Sequence, residues 1–156
     1  MGMRKVALIT DGWRRLFTYA WPAGILQRIR ETGEDVNLYI FNSTGNWSRD
    51  AGYNRAEYNI YNLPELSDFD GIILELNNIS SPAVLADVIS NAKRSGRPVV
   101  SIANELGDFY YVGIDNYSAM KQVIAHLHEV HDCKKFWLLV GAQDNYESRC
   151  RLQGRL

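Results

Sequence analysis

Polar and acidic side chains directly follow several apolar stretches of this chain, and they are its clearest candidates for chemistry. Carboxylate oxygens accept hydrogen bonds, and carboxamide groups both accept and donate them. A ligand with several hydroxyl groups needs such convergent partners, because each buried hydroxyl left without a hydrogen bond costs about 1–3 kcal/mol. Sugars and nucleosides are ligands of this kind. The candidate residues are Asp11, Asn42, Asn77, Asn104 and Glu105.

Aromatic and charged side chains extend this candidate site. Trp13 and Phe17 lie shortly after the first apolar stretch, where an aromatic face could stack on the C–H face of a sugar or on a base. Asp115 follows the short apolar stretch Val112–Ile114 and is expected to face the same edge. The adjacent pair Arg14–Arg15 would suit an anionic ligand at the lip of a pocket.

Each of these residues also has a purely structural interpretation. Asp and Asn are common in turns because their side chains hydrogen-bond to nearby backbone. Large aromatic side chains near a loop could pack beneath it without touching a ligand. Neighbouring arginines often form a solvated surface pair. The residue types alone therefore leave both interpretations open at every position.

Four apolar runs have to position these residues. Short, nearly continuous runs rich in Val and Ile are typical of parallel strands buried on both faces. Segments of helical length separate the runs, which implies right-handed crossovers. The sequence therefore predicts a doubly wound α/β domain with a parallel sheet, in which ligands bind outside the carboxyl ends of the strands. The runs are Lys5–Thr10, Val36–Phe41, Gly71–Leu76 and Pro98–Ile102.

Helix signals between the runs support this interpretation. Trp21 belongs to the apolar face of a helix that follows the first run and ends at Gly33. The third connection is the clearest, with Ser81 as N-cap, Pro82 at the first helical position and Gly96 at the end.

The C-terminal part predicts a further helix and strand. A helix is expected at Met120–Val130 and a strand at Phe136–Val140, both with apolar surface that a second domain would cover. Exposed surface of that kind promotes association, so we expect a homodimer through this region. The stretch Asn42–Asp68 gives a weak signal, and its helical candidate lies within Tyr53–Leu63.

Composition restricts the class of protein. The chain has 156 residues, 46% of them hydrophobic, which is enough for a core. Its 17 Lys and Arg residues nearly balance 18 Asp and Glu residues, so the chain lacks the excess positive charge that attracts a phosphate backbone. Nucleic-acid binding by this chain alone is therefore disfavoured. The two cysteines, Cys133 and Cys150, match no disulfide framework and indicate a reducing compartment. Without a signal peptide or an apolar run of membrane length, we expect a cytoplasmic protein that does not contact membrane.

Catalytic, metal and cofactor signals are weak. The sequence shows neither a glycine-rich phosphate cradle nor a G-x-S-x-G nucleophile turn. His126 and His128 would point to different sides of a helix, which leaves only His128 and His131 as neighbours. We therefore expect no catalytic residue, no metal site and no cofactor.

Several segments, in order along the chain, resemble the ligand-sensing domain of the LacI/GalR transcriptional regulators. Phe69–Leu74 is similar to that family's "vDGiIl" strand, and Val112–Asn116 is similar to its "VGvDN" segment. His126-Leu127 followed by Phe136–Gly141 resembles "HL…GH..I..i.G". Arg151–Gly154 resembles the "R..G" that opens the next helix. The fold implied is that of class I periplasmic-binding proteins.

The resemblance implies a division of the chain and a function. Residues 4–117 would form the first sensor subdomain, and residues 118–156 would begin the second, which is cut short. Arg151 matches a position whose guanidinium reaches into the ligand cleft. The implied function is sensing of a small polar metabolite, with no chemistry on the ligand. DNA would be bound only through a helix-turn-helix headpiece, and only Met1–Arg4 precede the first strand.

Three other functions stay open at this point, one of which is a dimerisation module that acts through an exposed helical face. A sensor half without a headpiece could belong to a signalling enzyme such as a diguanylate cyclase. A flavodoxin-like enzyme, or a flavin- or nucleotide-binding domain, would have a similar sheet, with the loop Asn42–Tyr53 holding phosphate or flavin.

Overall fold

The computed structural model of the protein describes residues 2–12, 16–44, 48–79, 81–143 and 145–155, and of residues 16–18 the backbone alone. Trp13 and the side chain of Phe17 thus lie outside the described part. The strands are β1 (Arg4–Asp11), β2 (Val36–Ser43), β3 (Gly71–Glu75), β4 (Val99–Ile102) and β5 (Tyr110–Val112). The α-helices are α1 (Leu16–Thr32), α2 (Ala51–Glu57), α3 (Pro82–Arg94), α4 (Asn116–Glu129) and α5 (Tyr146–Gln153).

The strands form one parallel sheet in the order β2-β1-β3-β4-β5. Ile9 of β1 lies opposite Phe41 of β2 on one side and Leu74 of β3 on the other. The predicted α/β class and the parallel pairing of the four apolar runs are confirmed. Because every strand runs in the same direction, all carboxyl ends meet at one edge of the sheet, where ligands bind in such folds.

The central strands supply the core. Leu8, Ile72 and Leu74 are at most 1% exposed, and Val99 is buried as well, as the apolar runs predict. Leu38 is only half-buried, although its run predicts burial. It lies on β2, an edge strand with a neighbour on one side alone, so less of its surface is covered.

Aromatic residues of the long connection between β2 and β3 complete the core. Tyr58 and Tyr61 stand on a 3₁₀ turn that follows α2, and both are buried. The ring of Phe69 meets that of Tyr39 edge-on, with centroids 5.5 Å apart. The weak sequence signal here has a physical cause, because aromatic residues on short turns create neither a helical nor a strand period.

Helix α3 begins and ends as its sequence predicts. Ser81 is the N-cap, with its hydroxyl accepting a hydrogen bond from the backbone N–H of Val84, and Pro82 opens the helix. Gly96 follows the helix with a φ of +67°, a left-handed conformation that glycine adopts without strain. None of the helices in the described part of the chain is long and apolar enough to cross a membrane.

The predicted strand Phe136–Val140 does not form. Residues 134–141 take no regular secondary structure, and they make no ladder with any described strand. Trp137 and Leu139 are fully exposed, and Phe136 is also exposed. A strand needs a neighbour for its backbone groups, so a strongly β-favouring sequence alone does not produce one. Exposure of this segment agrees with its sequence-based expectation.

Asp115 is the N-cap of α4, and this role gives a pH-dependent prediction. Its Oδ1 accepts a hydrogen bond from the backbone N–H of Ser118 at 2.9 Å, and bonds from Ser118 hold the pKa of Asp115 below its usual 3.8. A carboxyl with a lowered pKa stabilises the fold above its unfolded pKa, and that stability is lost as pH falls through the folded pKa. Asp115→Ala should therefore lower the melting temperature at neutral pH, with a deficit that shrinks below about pH 3.8.

Melting curves across this pH range provide the check. Asp115→Asn retains an oxygen acceptor but lacks the titrating carboxyl, so its deficit relative to the wild type should be smaller and should also shrink as Asp115 of the wild type becomes protonated. If Asp115→Ala lowers the melting temperature by the same amount at neutral and at acidic pH, the charge of Asp115 does not contribute to capping α4.

Candidate functional site

A pocket of about 440 Å³ opens at the carboxyl ends of β3 and β4. Its lining combines seven polar or charged residues with apolar surface and comes from two sides. The strand-end side contributes Glu75, Asn77, Asn78 and Ala103, together with Trp21 from α1. The other side contributes Gly113, Ile114, Asn116, Asn145, Glu147 and Arg151. The pocket thus lies between the sheet edge and the first residues of α4 and α5.

Glu75 ends β3 and forms the buried carboxylate of the pocket, with 4% of its surface exposed. Its Oε2 accepts a hydrogen bond from Thr10 Oγ1 at 2.8 Å. The backbone oxygen of Thr10 in turn accepts a hydrogen bond from the Tyr61 hydroxyl at 2.9 Å. Burial, and then the charge of Asp11, raises the pKa of Tyr61, so its hydroxyl stays protonated and donates. This network fixes Glu75 beneath the pocket.

Two asparagines hold the strand ends together. Asn77 Nδ2 donates to the backbone oxygen of Ala103 at 3.2 Å, linking β3 to β4. Asn78 Nδ2 donates to the backbone oxygen of Asp11 at 2.8 Å, linking β3 to β1. Ala103 has a φ of +60°, an uncommon conformation for a residue with a side chain. Such outliers cluster at ligand sites, where the surrounding hydrogen bonds maintain them.

The opposite side of the pocket is a chain of polar contacts. Arg151 NH1 donates to Asn116 Oδ1 at 2.7 Å. Asn116 Nδ2 donates to the backbone oxygen of Ile114 at 3.3 Å and to Glu147 Oε1 at 3.4 Å. Asn145 caps α5 through its Oδ1, which accepts from the backbone N–H of Ser148 at 2.9 Å. Guanidinium, amide and carboxylate groups therefore stand side by side facing the pocket.

A contact near the pocket joins α5 to the sheet edge. The Tyr146 hydroxyl donates to Glu105 Oε2 at 2.7 Å, and this hydrogen bond raises the pKa of Tyr146. The Tyr146 ring also meets that of Tyr111 edge-on, with centroids 6.2 Å apart.

Solved structures share this architecture, whereas no family model matches the chain and no curated protein sequence matches it significantly. A solute-binding protein of an ABC transporter from Burkholderia multivorans matches with a TM-score of 0.70 at 20% identity, over 99% of this chain and 56% of that chain. GanP, a glucose–galactose-binding protein from Geobacillus stearothermophilus, gives a TM-score of 0.69 at 20% identity, over 99% and 53%.

A regulator shows the same likeness. The transcription regulator CcpA of Lactococcus lactis matches with a TM-score of 0.65 at 20% identity, over 98% of this chain and 52% of that chain. The chain has the class I periplasmic-binding-protein-like fold. It spans about half the length of these solved structures. Both solute-binding proteins and transcription regulators use this fold, so the fold alone leaves the choice between them open.

Within this class I fold, the sequence-predicted site residues take different positions. Asn77 and Arg151 line the pocket. Glu105 binds Tyr146, and Asp115 caps α4. Asp11 is buried at the end of β1, with its backbone oxygen bound to Asn78.

The remaining predicted residues are not among the lining residues or lie outside the described part. Asn42 is half-buried on β2, opposite Thr10. The backbone oxygen of Asn104 accepts a hydrogen bond from the hydroxyl of Ser101. Trp13 is not described, and only the backbone of Phe17 is, as part of α1.

Sequence reasoning missed most of the lining. Glu75 carries a detectable signal, because it is the charged residue inside the apolar run Gly71–Leu76. Asn116 ends the segment that resembles a known motif, and Trp21 is interpretable as a core residue of α1. Asn145 and Glu147 give no signal at all, since only tertiary structure brings α5 to the sheet edge.

The histidines pair differently from the sequence-based expectation. His126 Nε2 lies 3.2 Å from His131 Nε2, whereas His128 Nδ1 lies 3.2 Å from the backbone oxygen of Cys133. The chain turns sharply after α4, with a φ of +51° at Asp132, and the backbone N–H of Cys133 donates back to the backbone oxygen of Leu127. Among the described residues, no group of three or more His, Cys, Asp or Glu could hold a metal ion.

Proposed function

We propose that this chain forms one part of the binding cleft for a small polyhydroxy ligand, a sugar or nucleoside, in the sensing domain of a LacI-type transcription regulator. The observation that carries this proposal is the pocket at the strand ends, with two carboxylates, four amides and one guanidinium among its lining residues. Hydroxyl groups both donate and accept, so they can use carboxylates, amides and guanidinium alike.

Trp21 supports a sugar in particular. Its side chain lines the same pocket, and an indole face can pack against the C–H face of a pyranose or furanose ring. Among the solved structures with this fold, GanP is a glucose–galactose-binding protein, and the Burkholderia multivorans structure carries an unknown ligand interpreted as α-D-erythrofuranose. We extend sugar binding from them to this chain.

The mechanism is differential affinity between two arrangements of the cleft walls. A ligand that contacts both the strand ends and α5 stabilises the arrangement in which the two lie close together. A separate domain linked to the sensor, such as a DNA-binding headpiece, can then respond to the larger population of the closed arrangement. The proposed mechanism contains no chemical step on the ligand.

A solute-binding role is the second candidate, because two of the three structures described above are solute- or sugar-binding proteins. For the regulator role, we propose a cytoplasmic homodimer, with DNA contacts made by a separate headpiece. Both roles use the same pocket and share the same ligand class.

A thermal-shift panel of pentoses, hexoses and ribonucleosides tests the proposal. One class should raise the melting temperature, and at a hundredfold excess over Kd the stabilisation should reach about 2.7 kcal/mol. Arg151→Ala should reduce that stabilisation, because the guanidinium lines the pocket and orients Asn116.

Arg28→Ala is a matched control, since Arg28 is exposed on α1 and pairs only at the surface with Glu31. It should leave the ligand response unchanged. The proposed site would be contradicted if no sugar or nucleoside of the panel raised the melting temperature. It would also be contradicted if Arg28→Ala reduced the stabilisation by the ligand as much as Arg151→Ala does.

A further inference from the structure

The contact between Tyr146 and Glu105 has a role that ligand binding itself does not explain. It joins the first residue of α5 to the loop after β4, through a hydrogen bond of 2.7 Å from the tyrosine hydroxyl to the carboxylate. The edge-on packing of Tyr146 against Tyr111 of β5 adds a second contact between α5 and the sheet. Helix α5 is thus attached to the sheet edge at its first turn.

The geometry of α5 places ligand-facing groups next to this attachment. Glu147 and Arg151 both line the pocket, and residues four apart share one face of a helix. Tyr146 lies about 100° around the helix from Glu147. Its side chain can therefore hold the loop while its neighbours face the pocket.

Helix α5 depends on such contacts for its position. It has eight residues, of which only Ser148 is fully buried. Isolated helices of this length are unstable in water, and α5 offers little apolar surface to dock. Its polar attachments include the Tyr146–Glu105 bond, the Arg151–Asn116 bond of 2.7 Å and the bond of 3.4 Å from Asn116 to Glu147.

We propose that Tyr146 and Glu105 form a clasp that holds α5 at the pocket and thereby positions Glu147 and Arg151 for a bound ligand. This inference rests on the proposed ligand site. Tyr146 and Glu105 are positioning residues, so Glu105 acts through Tyr146 and not as the ligand contact that its sequence position suggests. Because the hydrogen bond that its hydroxyl donates to Glu105 raises the pKa of Tyr146, this hydroxyl remains a donor at neutral pH.

Hydrogen–deuterium exchange of the α5 amides tests the clasp without any ligand. Tyr146→Phe and Glu105→Ala should each speed exchange across α5 by roughly threefold to tenfold, because a charge-assisted hydrogen bond is lost. Their double variant should match either single variant, since both remove the same bond. Glu105→Gln keeps an oxygen acceptor and should show a smaller increase.

Tyr110→Phe is the matched control, because Tyr110 is 73% exposed on the neighbouring strand β5. It should leave α5 exchange unchanged, and exchange in β1 and β3 should be the same in all variants. The clasp would be overturned if the α5 amides of Tyr146→Phe exchanged at the wild-type rate. It would also be overturned if Tyr110→Phe sped up their exchange as much as Tyr146→Phe does.

Titration with D-galactose and D-glucose tests the positioning role. Tyr146→Phe should raise the dissociation constant by a factor similar to its effect on exchange, with an unchanged melting temperature of the unliganded protein. If Tyr146→Phe speeds exchange in α5 but leaves the dissociation constant unchanged, the clasp does not position the ligand-binding residues. If wild-type protein binds neither sugar, the proposed function fails for these sugars, and the exchange data alone confirm or overturn the clasp.

Discussion

Replacing Glu75 by alanine should weaken sugar binding by about a hundredfold, the largest functional effect expected from any single change in the pocket. The carboxylate is 4% exposed and is fixed by Thr10 at 2.8 Å, so it is preorganised to accept hydrogen bonds from ligand hydroxyls. A hydrogen bond to a charged group contributes about 1.5–3 kcal/mol, which corresponds to the expected loss. Titration calorimetry with the best sugar of the panel measures it.

Two further variants separate binding from folding. Glu75→Gln keeps the shape and an oxygen acceptor and should lose only about tenfold in affinity. Glu34→Ala removes a surface carboxylate that pairs loosely with Arg4 at 3.7 Å and should bind as wild type does. Wild-type affinity in Glu75→Ala would show that the ligand does not reach the end of β3.

The largest effect on stability is expected from Leu74→Ala. Leu74 is 0% exposed at the centre of β3, between β1 and β4. Truncating such a side chain leaves a cavity and costs about 2–5 kcal/mol of the free energy of unfolding. Urea denaturation monitored by circular dichroism measures the change.

Leu63→Ala is the control for this substitution. Leu63 is 75% exposed, so the same chemical change should alter the free energy of unfolding by no more than about 0.5 kcal/mol. Equal losses in the two variants would place the core elsewhere than on the central strands.

The sheet was predictable because its central strands are buried on both faces. Ile72 and Val99 need apolar neighbours on each side, and this requirement appears directly as continuous apolar runs. The edge strand β5 carries no such signal. All three of its residues are exposed, and it occupies Tyr110–Val112 instead of the expected stretch Val112–Ile114.

The candidate site was predictable only where a strand end creates it. Asn77 follows β3 directly, so its place at the pocket follows from the topology. Asp115 lies three residues after β5, and its Oδ1 caps α4, a role that Asp commonly takes before a helix. The contribution of α5, including Glu147, depends on tertiary contacts that leave no periodic trace in the sequence.

The exposed stretch Phe136–Val140 has a consequence for the behaviour of the protein at high concentration. Five consecutive apolar residues with open backbone groups form a template for intermolecular β-pairing, the first step of aggregation. Lys134 and Lys135 stand directly before this stretch, and their charges repel a second copy aligned in register. The two lysines therefore disfavour parallel, in-register stacking of many copies, whereas an antiparallel contact between two copies keeps these charges apart.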